Sequence, residues 1–270
     1  FAQSGANGRI LRYVFNGFDQ PGRYLYLRDD ETKDYWSASW QPVGKDLTEY
    51  KSECRHGTAY TRMLADYAHI HSEALYYVPL NRAYEVWCLT LTNTDSKPRH
   101  LTVTGYAEFT NNSNYEQDQV NLQYSLFISR TMFRGNRIRQ AIHGNLDALK
   151  DGEYVDNKDV TERFFGLAGS PVSSYCGDKE AFLGLYHGYG NPVGVETGNL
   201  GNVLSYNENS CGGLSTKIPL QPGESKTVAF VLGMQRDAQA GAILDGCADP
   251  AAVCQRELGE LKTWWHSRLE

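Results

Sequence analysis

The run Tyr84 to Thr92 constrains this 270-residue chain more than any other stretch. Read as a strand, it places Trp87, Leu89 and Leu91 on one face and Val86 and Cys88 on the other. A strand with one wet face alternates apolar with polar residues; one that is apolar on both faces must be covered on both. The chain is therefore expected to build a stacked-sheet core. Its 18 Tyr and 26 Gly against three Met point the same way, towards strands and turns rather than a helical bundle. The length suits a single large β-sandwich.

Further strands follow by alternation. Arg23 to Arg28, the acidic turn Asp29 to Asp34, and Tyr35 to Ser37 read as a hairpin. Glu49 to Cys54, Ala59 to Leu64, Ala68 to Pro79, Leu101 to Phe109 and Val120 to Phe133 read as strands, with Asn93 to Pro98 a turn. After a long polar excursion over 144–160, shorter strands return at Phe164 to Leu167, Leu214 to Leu220 and Thr227 to Leu232, the last two joined by Pro222-Gly223-Glu224. The end differs. Asp249 is placed to cap a helix beginning at Pro250, in which Ala251, Cys254, Leu258, Leu261 and Trp265 form an apolar stripe. The stripe is expected to stay exposed and meet a segment beyond residue 270; folding back onto the sandwich is the alternative. The start, Phe1-Ala-Gln-Ser-Gly, is neither an initiator Met nor a signal peptide and reads as a cut edge.

Net charge is −6 and the basic residues are scattered, so no stripe exists to follow a phosphate backbone and nucleic acid is not an expected partner. No run of about 18 apolar residues occurs, so no membrane-spanning helix is expected. Six Cys at irregular spacing, with no CxxC, read as free thiols of a cytoplasmic protein, with disulfides or a metal site as the other possibilities. His69-Ile70-His71 would put two imidazoles on one face of a strand, but no further ligand follows at metal-binding spacing, and no metal is expected. Arg55-His56 before Gly57 has the composition of a weak anion site. Asp29-Asp30-Glu31 and Asp178 with Glu180 read as solvated turns, although a glycosidase would need just such a carboxyl pair. The amide-rich run Asn111-Asn112-Ser113-Asn114-Tyr115, continuing through Gln117-Asp118-Gln119 to Asn121 and Gln123, suits sugar hydroxyls, because amides both donate and accept. A solvated turn is the plain alternative.

Several strings taken in order carry a resemblance. They are Pro21-Gly22-Arg23-Tyr24-Leu25-Tyr26-Leu27-Arg28 with Asp34-Tyr35-Trp36-Ser37; Arg55-His56-Gly57; Tyr84-Glu85-Val86-Trp87; Glu108-Phe109-Thr110-Asn111 with Gln117-Asp118-Gln119-Val120-Asn121-Leu122-Gln123-Tyr124; and Arg163-Phe164-Phe165-Gly166 through Tyr189-Gly190-Asn191-Pro192 to Cys211-Gly212. Together they resemble the N-terminal part of glycoside hydrolase family 94, the disaccharide phosphorylases. The fourth string looks most like cellobiose phosphorylases and less like the chitobiose members. The resemblance implies an all-β fold, a large antiparallel super-sandwich of the galactose-mutarotase type. This would be an N-terminally incomplete domain over 1–236, followed by the start of a helical linker at 237–270.

It also implies an enzyme that cleaves a β-linked disaccharide with inorganic phosphate as co-substrate, inverting the anomeric centre, and needs no cofactor. The general acid would sit in a catalytic α/α barrel beyond residue 270, so no catalytic residue is expected here. The implied assembly is a homodimer in which one sandwich closes its partner's active site. The closing segment would be Asn111 to Gln123, with Gln123, Asn121 and Asn114 hydrogen-bonding sugar hydroxyls and Tyr115 offering an aromatic face. Two other functions remain open. One is a free-standing carbohydrate-binding sandwich using Trp36, Trp40 and tyrosines; the other is a mutarotase-like epimerase using a His and a Glu.

Overall fold

The computed structural model describes residues 10–12, 22–110, 126–142, 149–150, 153–154 and 162–269. The expected all-β antiparallel sandwich is present. Strands β1 (Arg23–Asp29), β2 (Tyr35–Ser37), β3 (Lys51–Gly57), β4 (Tyr60–Tyr67), β5 (Ile70–Tyr77), β6 (Tyr84–Asn93) and β7 (Arg99–Glu108) form the first half. The second half has β8 (Ser129–Arg134), β9 (Arg137–Ile142), β10 (Leu149–Lys150), β11 (Glu153–Tyr154), β12 (Glu162–Ala168), β13 (Ser174–Asp178), β14 (Ser210–Leu220) and β15 (Ser225–Gln235). One sheet runs β13-β14-β7-β1-β2 and the other β3-β4-β5-β6-β15-β12-β9-β8; β10 and β11 pair apart.

The layers explain the two-faced β6. Its Trp87, Leu89 and Leu91 enter the core between the sheets, against Leu25, Leu27, Val103, Phe165 and Phe230. Val86 and Cys88 face outward, where helices α3 (Asp237–Gly246) and α4 (Pro250–Leu269) cover the larger sheet. The smaller sheet is also covered. Tyr26 and Tyr106 on its outer face meet Phe182 of the short helix α1 (Lys179–Leu183) and Val195 of α2 (Val193–Thr197). Where the sheets approach closest there is no room for a side chain: a Cβ on Gly105 would stand 2.6 Å from the Phe230 ring.

The final helix corrects one expectation. Asp249 caps it, its Oδ1 accepting from Ala252 N–H at 3.2 Å. However, Cys254, Leu258 and Leu261 do not stay exposed; they pack on Tyr77, Val86, Cys88 and Val231 of the larger sheet, while Ala251 is exposed and Trp265 half-buried. Each buried Leu contributes roughly 2 kcal/mol of apolar transfer, reason enough for the helix to fold back. The strand expected from Ala68 begins only at Ile70, because Ala68 and His69 adopt φ of 48° and 61° in a two-residue turn whose twist suits a hairpin. His69 and His71 therefore do not share a strand. The strand expected over Val120 to Phe133 starts at Ser129, where pairing with Ile142 begins; Leu126 and Phe127 lie in a helical turn, and 120–125 fall outside the described residues.

The connections at one end of the sandwich are short. The turn after β6 and the turn after β14 both carry the chain from one sheet to the other, and Asn93, fully buried, ties them together. Its Nδ2 donates to Lys97 O at 2.8 Å and Leu220 O at 3.1 Å, and its backbone exchanges bonds with Gly223 and Glu224. Beside it, Arg99 joins three turns: Nε donates to Asp29 Oδ2 at 2.9 Å, and Nη1 to Ala68 O at 2.7 Å and Asp95 Oδ2 at 3.2 Å. At the margin of the larger sheet, β3 has one paired edge among the described residues and is exposed along almost all its length, carrying Lys51, Glu53 and Arg55. Among the described residues, no helix is long and apolar enough to cross a membrane.

Candidate functional site

The opposite end of the sandwich holds the polar chemistry. There β7 delivers the chain to Thr110, the last described residue before 111–125. The edge of β7 is held on both sides: Phe109 N–H donates to Ser210 O at 3.1 Å and Thr110 N–H to Ile10 O at 3.0 Å. Just below lies Glu108, wholly buried on the outer face of the smaller sheet. A buried carboxylate is stable only when paired and hydrogen-bonded. Lys179 Nζ stands 3.2 Å away and Arg12 Nη1 3.8 Å, and the hydroxyls of Tyr106 and Tyr189 both donate to Glu108 Oε2. Burial, reinforced by the Glu108 charge, holds the Tyr189 phenol far above its usual range, so it stays a donor. On the returning side Ser129 Oγ meets Ser210 Oγ at 2.7 Å, Gln140 Nε2 donates to Ser129 Oγ at 3.0 Å, and Arg163 Nη1 donates to Gln140 Oε1 at 3.3 Å. These groups form a hydrogen-bonded shelf between the end of β7 and the start of β8. Their hydrogen bonds to one another hold these strand ends together.

Beside the shelf opens a cavity of about 400 Å³ between the β3–β4 hairpin and the start of β1. Its lining includes Glu85, 5% exposed, on the inward face of β6 two residues before Trp87. Trp87 Nε1–H donates to Glu85 Oε1 at 2.8 Å, and the Arg23 guanidinium pairs with the same carboxylate while lying over the Tyr76 ring, 5.7 Å from its centroid. His56 stands at the mouth with Nδ1 3.0 Å from Thr61 Oγ1. The arrangement brings charge-paired, hydroxyl and aromatic groups to one concavity, the usual composition of a small-molecule site.

Of the residues expected to touch sugar, Gln123, Asn121, Asn114 and Tyr115 all lie outside the described residues. The acidic turn is solvated at its tip, where Glu31 to Lys33 are exposed, but its first carboxylate is not: Asp29 is buried and accepts from Glu31 and Thr32 N–H at 2.8 and 2.9 Å as well as from Arg99. Asp30 pairs with Arg28 and Lys217. Asp178 caps α1 through Ala181 N–H, and Glu180 accepts from Asn209. All four carboxylates serve structure. Trp36 is buried in the core and Trp40 donates Nε1–H to Lys45 O at 2.7 Å, so neither forms an open sugar platform. Arg55 is paired with Glu53 rather than poised for an anion. The six cysteines are unpaired, five of them buried. Glu85 and Glu108 were not singled out in the sequence. The signal was there for Glu85, a carboxylate in phase with Trp87, Leu89 and Leu91 on the face that becomes the core.

A family profile described as "Glycosyl hydrolase 94, supersandwich domain" matches residues 1–250. An N,N'-diacetylchitobiose phosphorylase of Vibrio proteolyticus is 36% identical over 87% of this chain and 28% of its own length. A solabiose phosphorylase of Paenibacillus borealis is 29% identical over 84% of this chain and 27% of its own. A cellobionic acid phosphorylase of Neurospora crassa is 25% identical over 83% and 26%. The chain thus spans about a quarter of the length of these curated relatives. The diacetylchitobiose enzyme, set further away by the motifs, is more similar over the whole chain than the cellobionic acid enzyme.

Proposed function

The chain belongs to the glycosyl hydrolase 94 supersandwich family, and on that premise we propose that it is the non-catalytic sandwich of a disaccharide phosphorylase. The observation that carries the proposal is the match of nearly the whole sandwich to phosphorylases that are about four times as long. The reaction is inverting phosphorolysis of a β-linked disaccharide, with inorganic phosphate as co-substrate and no cofactor, in the cytoplasm. The acid and the phosphate-binding groups belong to a helical barrel domain. The sandwich contributes homodimer contacts and the segment Asn111 to Gln123, which closes the active site of the partner subunit. Gln123, Asn121 and Asn114 hydrogen-bond the sugar there and Tyr115 stacks on it. Orienting contacts of this kind govern substrate choice and position, while charge development is handled elsewhere. The rigid shelf of Glu108, Lys179 and Ser210 supports the reading, because a closing segment needs fixed roots.

The test is made on the whole protein that carries this domain. Incubated with phosphate and a panel containing N,N'-diacetylchitobiose, cellobiose and cellobionic acid, it is expected to release a sugar 1-phosphate from one of them. Gln123→Ala is expected to raise KM for that disaccharide about tenfold, the loss of one good hydrogen bond to a neutral group. Turnover of a disaccharide by residues 1–270 alone would overturn the non-catalytic assignment.

A further inference from the structure

We propose that Cys247 and Cys254 form a reversible oxidation site, independent of the phosphorylase reading: a dithiol that a hydroperoxide converts to a disulfide tying the end of α3 to the first turns of α4. The five buried cysteines fall into two groups, one on the outer face of each sheet. Cys176 and Cys211 lie with Tyr26, Tyr106 and Phe182 on the smaller sheet. Cys88, Cys247 and Cys254 lie with Val86, Ala229 and Leu258 where α3 and α4 cover the larger one, and Cys254 is in hydrogen-bonding contact with both of its neighbouring thiols. Among the described residues no three His, Cys, Asp or Glu side chains are grouped to hold a metal ion, which leaves pairing as the chemistry of these thiols.

Access and freedom to move select the pair. Cys247 stands in the wall of a cleft of about 520 Å³ between α3, α4 and the turn before β6, open enough for a small oxidant; Cys88 and Cys254 do not line it. Cys88 is fixed in β6, which is paired on both sides, to β5 and to β15. Cys247 ends α3 and is followed by the exposed Ala248 and Asp249, a corner that can shift to bring two sulfurs to bonding distance. Cys254 meets it from α4, where the Cα–Cβ bond leans towards the helix N-terminus and so towards that corner.

One peroxide oxygen passes to the Cys247 sulfur: the O–O bond breaks, an S–O bond forms, and the thiol proton leaves with the other oxygen as water. The Cys254 sulfur then attacks the Cys247 sulfur. The S–S bond forms, the S–O bond breaks, and the hydroxide leaves with the Cys254 proton as a second water. The two thiols give up two electrons and the peroxide takes them. In a reducing compartment such bridges are transient and sense oxidant rather than hold the fold.

The native protein is treated with hydrogen peroxide, unfolded in iodoacetamide and digested with trypsin. No Lys or Arg lies between residues 247 and 254, so both thiols fall on the peptide 237–256, while Cys88, Cys176 and Cys211 fall on three others. Cys54, exposed on β3, reports that the oxidant has acted. Peptide 237–256 is expected to lose two hydrogens and both alkylation sites, and dithiothreitol added before unfolding is expected to restore them. Full alkylation of this peptide while Cys54 is oxidised overturns the proposal. So does a cross-link from it to the Cys88 peptide, or an oxidation that dithiothreitol does not reverse. Cys247→Ser is expected to leave Cys254 open to alkylation after peroxide, since the cleft does not reach it. Oxidation of Cys254 in that variant overturns the proposal too.

Discussion

At one end of the sandwich, Arg99 and Asn93 gather the turns after β1, β4, β6 and β14 into a single knot; at the other, Glu85 and Glu108 sit where β6 begins and β7 ends, beside a cavity. Both ends bury a carboxylate against an arginine, Asp29 with Arg99 and Glu85 with Arg23. The difference lies in where each pair stands. Arg99 spends Nε, Nη1 and Nη2 on turn groups of the same chain. Arg23 and Glu85 stand in the wall of a cavity. A buried ion pair by itself therefore says little about function; the surface it faces decides whether it serves the fold or a ligand.

That contrast can be broken in four ways, taken from the largest expected effect. Arg99→Met strands the Asp29 carboxylate and is expected to cost about 3–5 kcal/mol in urea unfolding. A cost below about 1 kcal/mol would mean that the pair contributes no more than an exposed one. Asn93→Ala leaves Leu220 O and Lys97 O without their donor and is expected to cost about 1–3 kcal/mol.

The third test uses pH, because two carboxyls are shifted with opposite signs. Burial raises the Asp29 carboxyl, but the N–H groups of Thr32 and Glu31 together with Arg99 outweigh it, and the net shift is downward from 3.8. Its contribution to stability is complete above that value and is lost as pH falls through the lower folded value. Glu162, near the open end, is shifted upward from 4.5 because burial outweighs Arg139. Its contribution is complete below 4.5 and is lost as pH rises through the raised value. Asp29→Asn is expected to flatten the acid limb of stability against pH, and Glu162→Gln the decline just above pH 4.5. Both limbs flattening together in either single variant would contradict the assignment. The smallest effect is expected of His56→Ala, whose stability should stay within about 0.5 kcal/mol of the parent.

The layered architecture was legible because β6 is apolar on both faces, a pattern with few structural solutions. Turns marked by Asn, Asp, Pro and Gly, and the cap at Asp249, were legible because those residues act locally. Long-range partnerships were not. Asp29 reads as a wet tip until Arg99, 70 residues away, folds over it, and Glu85 meets Arg23 across 62 residues. The stripe on α4 announces that something must cover it but does not say what; its own sheet, already apolar on the outer face, proved sufficient. The amide-rich segment was legible as chemistry alone, since nothing in its composition sets where Gln123 or Asn121 points.

Among the described residues β3 pairs on one side only, and that margin has a consequence for solubility. An unpaired strand border is a template on which a second chain can add its own strand, and repetition of that step makes a fibre. Lys51, Glu53 and Arg55 line this border with charge that an incoming strand would have to desolvate. Exchanging them for Val or Ile would leave the native contacts almost untouched, yet it would remove the gatekeepers that keep the sheet from growing past eight strands.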